Sequence, residues 1–164
     1  RGRAKSGRRL EGEQGALGRP KDEWMKARYG DGNPAEASDV IEGRLIHVGM
    51  RARGLGINVV IDFGLWARDE RSALRHAAGA IGASIAMHYF ELTPEEQRKR
   101  LKQRFDDAPH ETWDMSGEEL DGWAANFNVP TLGELDGSEA IGEPPDGCMT
   151  WEDWRAYRWP AAAR

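Results

Sequence analysis

The chain has 164 residues, which is enough for one domain with a hydrophobic core but not for two comfortable ones. Its single cysteine, Cys148, excludes a disulfide within the chain, and no apolar run approaches the roughly 20 residues that span a bilayer. The net charge of −5 is uneven, because residues 1–9 are basic whereas no Lys or Arg stands between Arg104 and Arg155. We therefore expect a cytoplasmic protein with an anion site in its basic part, and no membrane or nucleic-acid partner.

The first nine residues, Arg-Gly-Arg-Ala-Lys-Ser-Gly-Arg-Arg, partly match a phosphate-binding loop. Gly2 and Gly7 have the spacing of the two glycines in G-x-x-x-x-G-K-[ST], whose backbone N–H groups cradle nucleotide phosphates. In that register Arg8 and Arg9 occupy the positions of the lysine and of the hydroxyl that binds Mg²⁺. No apolar strand precedes Gly2, and the chain starts without methionine, so we expect that something precedes it in the natural product or was removed. A disordered basic terminus is the alternative interpretation.

Residues 10–32 carry weaker signals. A helix over residues 10–17 would be a poor one, since glycines interrupt it. Asp22 and Glu23 then precede Trp24 and Met25, which we expect to be buried. The carboxylate of Asp22 acts either as a general base or as a cap of the next short helix.

The clearest signal is the β-branched apolar run at residues 57–61, which predicts a strand buried on both faces of a parallel sheet. Asp62 ends this run, at the edge of the sheet where open α/β folds place their ligands. A helix is predicted before this strand, over residues 34–54, with Ile41, Leu45, Val48 and Ala52 on its inner face. A second helix is predicted after it, over residues 68–81, with Leu74, Ala77, Ala78 and Ile81 on its inner face. This helix is long enough to connect to a parallel strand, which is predicted over residues 84–90.

Three further helices are predicted from capping signatures that begin at Thr93, Ser116 and Thr150. The first is rich in arginine and lysine, and is either a plain surface helix or a mobile lid that brings guanidinium groups over a phosphate. A loop is predicted over 133–147. The last helix carries Trp151, Trp154 and Tyr157, whose side chains we expect to dock on the body of the protein.

Together these motifs resemble bacterial P-loop kinase-like ATPases, the small AAA-family ATP-binding proteins related to chloramphenicol phosphotransferase, zeta toxins and small-molecule kinases. The resemblance extends from about Lys21 to Leu135. It is carried by Asp22-Glu23-Trp24-Met25, by Val59-Val60-Ile61-Asp62-Phe63-Gly64-Leu65-Trp66 with Arg68 and Arg71, by Arg100-Leu101-Lys102-Gln103-Arg104, by Glu118-Glu119-Leu120 with Trp123, and by Pro130-Thr131.

The resemblance implies an α/β fold, a parallel sheet flanked by helices in the three-layer sandwich of nucleoside-kinase-like P-loop NTPases. It implies a kinase-like domain at residues 1–136, followed by an acidic loop and an aromatic segment at 137–164. The implied activity is transfer of the γ-phosphate of ATP, with Mg²⁺, to a hydroxyl group of a small molecule. Two alternatives stay open: a catalytically degraded homologue that serves as a binding or regulatory module, and an unrelated α/β protein whose arginine-rich helix binds an anionic partner.

The resemblance also implies roles for individual residues, with no protein ligand to a metal among them. Nucleotide binding falls to Gly2, Lys5, Ser6, Gly7, Arg8 and Arg9; catalysis to Asp22 and the lid arginines Arg100 and Arg104; and substrate binding to Asp62, Trp66 and Arg68. In this family the first strand lies between the strands at 57–61 and 84–90. That strand is missing here, and its absence would leave the backbone groups of its two neighbours unpaired. We expect an incomplete N-terminal sequence or a shortened chain, in preference to a naturally decayed homologue.

Overall fold

The computed structural model describes residues 3–18, 21–32 and 34–160, with the backbone alone for residues 3–6 and 8. In chain order its elements are α1 (Arg3–Gln14), β1 (Leu17–Gly18), α2 (Lys21–Tyr29), α3 (Ala35–Gly54), β2 (Val59–Val60), α4 (Arg68–Ala80), α5 (Pro94–Asp107), α6 (Gly117–Ala125), α7 (Leu132–Asp136) and α8 (Trp151–Arg158). None of these helices is both long and apolar enough to cross a membrane. The cytoplasmic location stays a prediction.

The sheet in the described residues consists of two short parallel strands. Leu17 of β1 pairs with Val59 of β2, and Gly18 pairs with Val60. The N–H of Leu17 donates to the carbonyl of Asn58 at 2.8 Å. β2 is shorter than the predicted strand at 57–61. β1 was not predicted, because two residues carry no alternating pattern.

The predicted strand at 84–90 is wrong, since the structure assigns no strand to these residues. Ile85 and Phe90 within the segment are 44% and 39% exposed. A strand needs a neighbour to accept and donate its backbone hydrogen bonds. The described residues place no strand between this segment and β2, so the segment has no ladder to join. The three-layer sandwich is therefore seen only in part, as a helix-rich body with a two-stranded parallel sheet.

The predicted helix boundaries agree with the structure better than the predicted strands do, because they depend on capping residues close in sequence. Thr93 Oγ1 accepts a hydrogen bond from the N–H of Glu96 at 3.2 Å, and the Glu96 carboxylate accepts one from the N–H of Thr93. Ser116 and Thr150 begin α6 and α8 with the same reciprocal pattern. α3 begins after Pro34 without a side-chain cap. The short helix α7 lies at the start of the predicted loop.

The main hydrophobic core joins α3, α4, the segment after β2 and the C-terminal region. Its buried members are Ile46, Phe63, Ala73, Leu74, Trp151 and Trp159. The predicted docking of Trp151 is confirmed, and Trp154 packs against the same core, whereas Tyr157 is 83% exposed. The core draws on residues beyond the predicted domain boundary at 136, which itself stays a prediction.

Several side chains predicted to be buried are exposed. Trp24 is 51% exposed beside the fully buried Met25, and Val48 and Ile81 are 53% and 45% exposed. On α3 the buried face contains Glu42, Gly43, Ile46, Gly49 and Ala52, so it is rotated away from Val48. The rotation brings a carboxylate into the interior, where polar partners are required.

Those partners form a buried ionic network around Glu42. Its carboxylate accepts hydrogen bonds from Lys21 Nζ at 2.7 Å, from Arg158 Nη2 at 3.2 Å and from Trp159 Nε1 at 3.0 Å. Arg158 also donates to Glu70 of α4 and to Asp39 of α3. Burial alone would lower the pKa of Arg158, but the combined effect of the three carboxylates is larger. The pKa of Arg158 is therefore raised above its ordinary value. The network ties α8 to α3 and α4.

Candidate functional site

Asp62 lies two residues after β2 and is 8% exposed. Helix α1 packs directly against it, because a Cβ atom added at Gly7 would lie only 2.5 Å from Asp62 Oδ2. The absence of a side chain at Gly7 therefore lets the helix backbone approach the carboxylate. The structure thus brings together two of the predicted site residues, Gly7 and Asp62, whose roles stay predictions.

The predicted phosphate loop over residues 2–9 is wrong from residue 3 onward, because α1 is helical from Arg3. The backbone places Lys5 and Ser6 in the first turn of α1, and Arg8 and Arg9 in the second. Gly2 lies outside the described residues, as do the side chains of Lys5, Ser6 and Arg8. Arg9 forms an ion pair with Glu13 one turn later at 3.8 Å. The prediction relied on the spacing of the two glycines alone. It did not take into account that the arginine, alanine and lysine residues of this segment favour a helix.

Asp22 and Arg104, both predicted to be catalytic, form an ion pair with Nη2 to Oδ2 at 3.1 Å. Asp22 lies in the first turn of α2 and Arg104 in the last turn of α5, positions where the helix dipoles favour these charges. Both side chains are largely covered, with 26% and 30% exposed. Arg100 lies one turn earlier on α5, on the same side as Arg104, and is half-buried.

Helix α5 has no buried residue. Besides the pair with Asp22, it is held by an ion pair between Arg98 and Asp121 of α6. A helix anchored by partly exposed ion pairs opens at a small energetic cost. This geometry fits a plain surface helix as well as a lid, since Leu101 and Phe105 of α5 are also half-buried, and the lid stays a prediction.

Arg68 begins α4 and is paired with Glu139 through Nη2, while its N–H donates to Asn128 Oδ1 at 3.3 Å. Trp66 precedes it, with its N–H bonded to Glu70 Oε2 at 2.7 Å and its carbonyl accepting from the N–H of Asn128 at 2.9 Å. Arg68 and Trp66 are the two predicted substrate-binding residues after Asp62. Arg68 thus forms an ion pair with an acidic side chain, and Trp66 is held by hydrogen bonds of its backbone.

A buried ion pair holds the segment after β2 in place. Arg71 donates from Nε and Nη2 to both carboxylate oxygens of Glu134, at 2.8 and 3.1 Å, and both side chains are buried. Arg71 Nη1 also reaches the carbonyls of Leu65 and Trp66 at 3.3 and 3.4 Å. Burial raises the pKa of Glu134, but the bonds from Arg71 and from the N–H of Thr131 outweigh it, and the pKa is lowered.

Four aromatic rings that the sequence analysis did not connect form an aromatic cluster, defined here as Trp66, Tyr89, Trp123 and Phe127. Trp66 meets Trp123 and Phe127 edge to face at centroid distances of 6.0 and 5.9 Å, and Tyr89 stacks on Phe127 at 5.9 Å. In the sequence these four residues are separate positions, and Trp66 and Phe127 are 61 residues apart.

Among the described residues, no group of three or more His, Cys, Asp or Glu side chains could hold a metal ion. A family model described as AAA domain matches residues 7–130. Comparison with curated proteins and with solved structures gives no match. The matched region contains the contact between Gly7 and Asp62 as well as the pair between Asp22 and Arg104.

Proposed function

Because the chain belongs to the AAA domain family of P-loop NTPase-like proteins, we propose that it binds ATP with Mg²⁺ and transfers the γ-phosphoryl group to a small-molecule hydroxyl. Within the family, we place it with the small-molecule kinases related to chloramphenicol phosphotransferase and zeta toxins. The proposed partner is a hydroxyl-bearing small molecule.

The observation that carries the proposal is the close approach of α1 to Asp62 across Gly7. The first N–H groups of a helix have no partner within the helix and attract anions such as phosphates. The carboxylate of Asp62 lies against the second turn of α1, at Gly7, and can hold water around a Mg²⁺ ion that accompanies phosphates at the helix start. The residues present thus fit Mg·ATP in kind, with backbone donors, a lysine, a hydroxyl and an acid.

We assign the lysine and hydroxyl positions of the phosphate-binding motif to Lys5 and Ser6, instead of Arg8 and Arg9. The motif places this pair where the loop passes into the helix, and α1 begins at Arg3. In this register Arg8 and Arg9 belong to the helix that follows the motif. The sequence departs from the motif at Ala4, where the motif has glycine.

Phosphoryl transfer depends mostly on positioning and on neutralising charge. Bound Mg·ATP would supply the transferable phosphoryl group. In the proposal Arg104 and Arg100 bind phosphate oxygens, and Asp22 accepts the proton of the acceptor hydroxyl or orients it. A phosphate that competes for Arg104 releases the carboxylate of Asp22, so the ion pair between them links nucleotide binding to exposure of the base.

Calorimetric titration with Mg·ATP tests the nucleotide site. We expect Lys5→Ala and Asp62→Asn to weaken binding at least about tenfold, which corresponds to about 1.4 kcal/mol, the range of one charged hydrogen bond. The matched controls are Lys99→Ala and Asp106→Asn, two exposed positions on α5 that should bind as the wild type does. Absence of binding at millimolar Mg·ATP would refute the proposal.

Turnover is tested separately by following ATP and ADP with ³¹P NMR. We expect slow hydrolysis by the wild type, since water can replace the acceptor, and its loss in Asp22→Asn. Binding without any turnover would instead favour the alternative of a catalytically degraded homologue that acts as a binding or regulatory module.

A further inference from the structure

The loop at residues 65–68 connects the segment after β2 to the start of α4. It contains Trp66 and Arg68, two of the predicted substrate-binding residues. The N–H groups of Trp66 and Ala67 both donate to Oε2 of Glu70, at 2.7 and 3.1 Å. One carboxylate oxygen therefore holds two successive peptide groups of this loop.

Helix α4 depends on the same carboxylate for its N-terminal cap. Glu70 is its third residue, and Ala67 in the capping position has no oxygen that could accept a hydrogen bond. In a complete capping box, a Ser or Thr at the cap and a glutamate at the third position bond to each other's backbone, as at the starts of α5, α6 and α7. At α4 only the glutamate half is present, so the course of the loop depends on where the Glu70 carboxylate is held.

Glu70 is held in turn by the C-terminal helix. Its second oxygen, Oε1, accepts a hydrogen bond from Arg158 Nε at 2.9 Å, and Arg158 Nη2 lies 2.7 Å from the same oxygen. Glu70 is only 4% exposed, and a carboxylate in such a place requires a counter-charge. The two oxygens thus have separate partners, the loop for one and α8 for the other.

Arg158 is itself fixed in position. Its guanidinium also pairs with two carboxylates of α3, and the next residue, Trp159, is completely buried in the main core. Helix α8 lies beyond residues 7–130, the part of the chain that the family model matches. An ionic connection thus extends from a helix outside the matched region to the loop at residues 65–68.

We propose that Arg158 is a positioning residue for acceptor binding, which acts through Glu70 on the backbone of Trp66 and Ala67. The inference rests on the proposed function, because Trp66 and Arg68 have an acceptor to bind only if the chain is a kinase. Without Arg158 the Glu70 carboxylate loses the bond that orients it, and the two loop N–H groups lose a fixed acceptor. The C-terminal helix thereby takes part in acceptor binding without contacting the acceptor.

Amide hydrogen exchange of the full chain, followed residue by residue by NMR, tests this connection. Glu70→Gln should accelerate exchange at the Trp66 and Ala67 amides about 10- to 150-fold, the range for losing a hydrogen bond to a charged group. A glutamine side chain has one oxygen, so it can accept from the loop or from Arg158 but not from both. Arg158→Met should accelerate exchange at the same two amides at least about tenfold.

Two control variants separate positioning from general effects on the fold. Arg155→Met makes the same chemical change on α8, where the side chain pairs with Glu152 of its own helix, and should leave both loop amides as in the wild type. Ile46→Ala creates a cavity in the main core and so lowers the overall stability, but should accelerate exchange at core amides only. Equal acceleration of the loop amides by Ile46→Ala and Arg158→Met would mean that Arg158 acts only through overall stability, and would overturn the inference.

A double variant, Glu70→Gln with Arg158→Met, tests whether Arg158 acts through Glu70. We expect its two loop amides to exchange as fast as in Glu70→Gln alone, because the connection is already broken there. The double variant leaves no unpaired charge at position 70, so it gives a result even if Arg158→Met alone folds poorly. Faster exchange of the loop amides in the double variant than in Glu70→Gln would overturn the inference.

The proposed function is judged separately, from binding of Mg·ATP by the wild type. A protein that shows the expected exchange pattern but binds no Mg·ATP would refute the proposed function, and the acceptor role of the loop with it. A protein that binds Mg·ATP, with loop amides that Arg158→Met does not affect, would refute only the positioning role.

Discussion

Gly7 allows helix α1 to lie against Asp62, and this contact depends on one missing side chain. We predict that Gly7→Ala displaces the Asp62 carboxylate, because the new methyl carbon would lie 2.5 Å from Oδ2. The strain should make Gly7→Ala less stable than Gly12→Ala, which has the same gain in helix propensity, by about 1 kcal/mol, the cost of forcing a side chain off its preferred rotamer. Binding of Mg·ATP should weaken at the same time, as measured by urea denaturation and calorimetry.

Gly12 offers a control on the same helix, where an added Cβ meets nothing within 4 Å. Gly12→Ala should stabilise the protein by roughly 0.5–1 kcal/mol, because alanine favours the helix interior, and should leave nucleotide binding unchanged. Equal effects of the two substitutions would show that the contact with Asp62 has no special role.

The pair of Arg71 and Glu134 predicts a dependence of stability on pH. The folded state lowers the pKa of Glu134 below its ordinary value of 4.5, so the pair stabilises the protein fully above that pH. The contribution is lost as the pH falls through the lowered pKa. Glu134→Gln should cost about 3–5 kcal/mol at neutral pH, because it leaves Arg71 buried without its counter-charge.

Urea denaturation from pH 7 to pH 3 measures this effect. The difference in unfolding free energy between wild type and Glu134→Gln should be constant above pH 4.5 and shrink below it. Glu118→Gln, at an exposed position on α6, should follow the wild type throughout. A difference that does not vary with pH would contradict the assigned role of the charge.

At the level of elements, α5 has no buried residue and forms ion pairs with α2 and α6, beside the half-buried Leu101 and Phe105. We predict that Arg104→Gln increases hydrogen exchange in α5 by less than about fivefold, the range for a partly exposed ion pair, while α4 is unaffected. High salt should produce a similar change in the wild type, since salt screens such pairs.

Lys102→Gln is the matched control for α5. Lys102 pairs with Asp106 at 3.4 Å within the same helix, so its loss does not detach α5 from α2. Hydrogen exchange of α5 that is equal in both variants, or insensitive to salt, would mean that apolar contacts hold the helix and that it is not an easily opened lid.

For the whole molecule, Arg158 joins the C-terminal helix to the rest of the body through Asp39, Glu42 and Glu70. We predict that Arg158→Met destabilises the protein by about 3–5 kcal/mol, because it leaves the buried carboxylate of Glu70 without its counter-charge, whereas Glu42 keeps Lys21. Thermal and urea denaturation measure the change. Arg51→Met, at an exposed position on α3, should have little effect, and an equal loss in both variants would argue against the network.

Residues of the candidate site could be named from the sequence where they belong to a recognisable motif, and their roles stay predictions. Asp22, Asp62 and Arg104 were named from the motifs that contain them, and the structure places Asp22 beside Arg104. Their pairing was not predictable, because the two residues come from helices that are distant in sequence. The register of the phosphate-binding motif also required the start of α1, which the spacing of glycines did not reveal.

By itself, the sequence determined where α5, α6 and α8 begin and where the central strand lies, because capping residues and β-branched runs act on their immediate neighbours. Only the tertiary structure decided that residues 84–90 form no strand, since strand formation requires a partner that local residues do not supply. It also decided that Glu42 is buried on α3, because Arg158 and Trp159 approach it from the far end of the chain. Interactions between distant segments follow from packing, which no local pattern encodes.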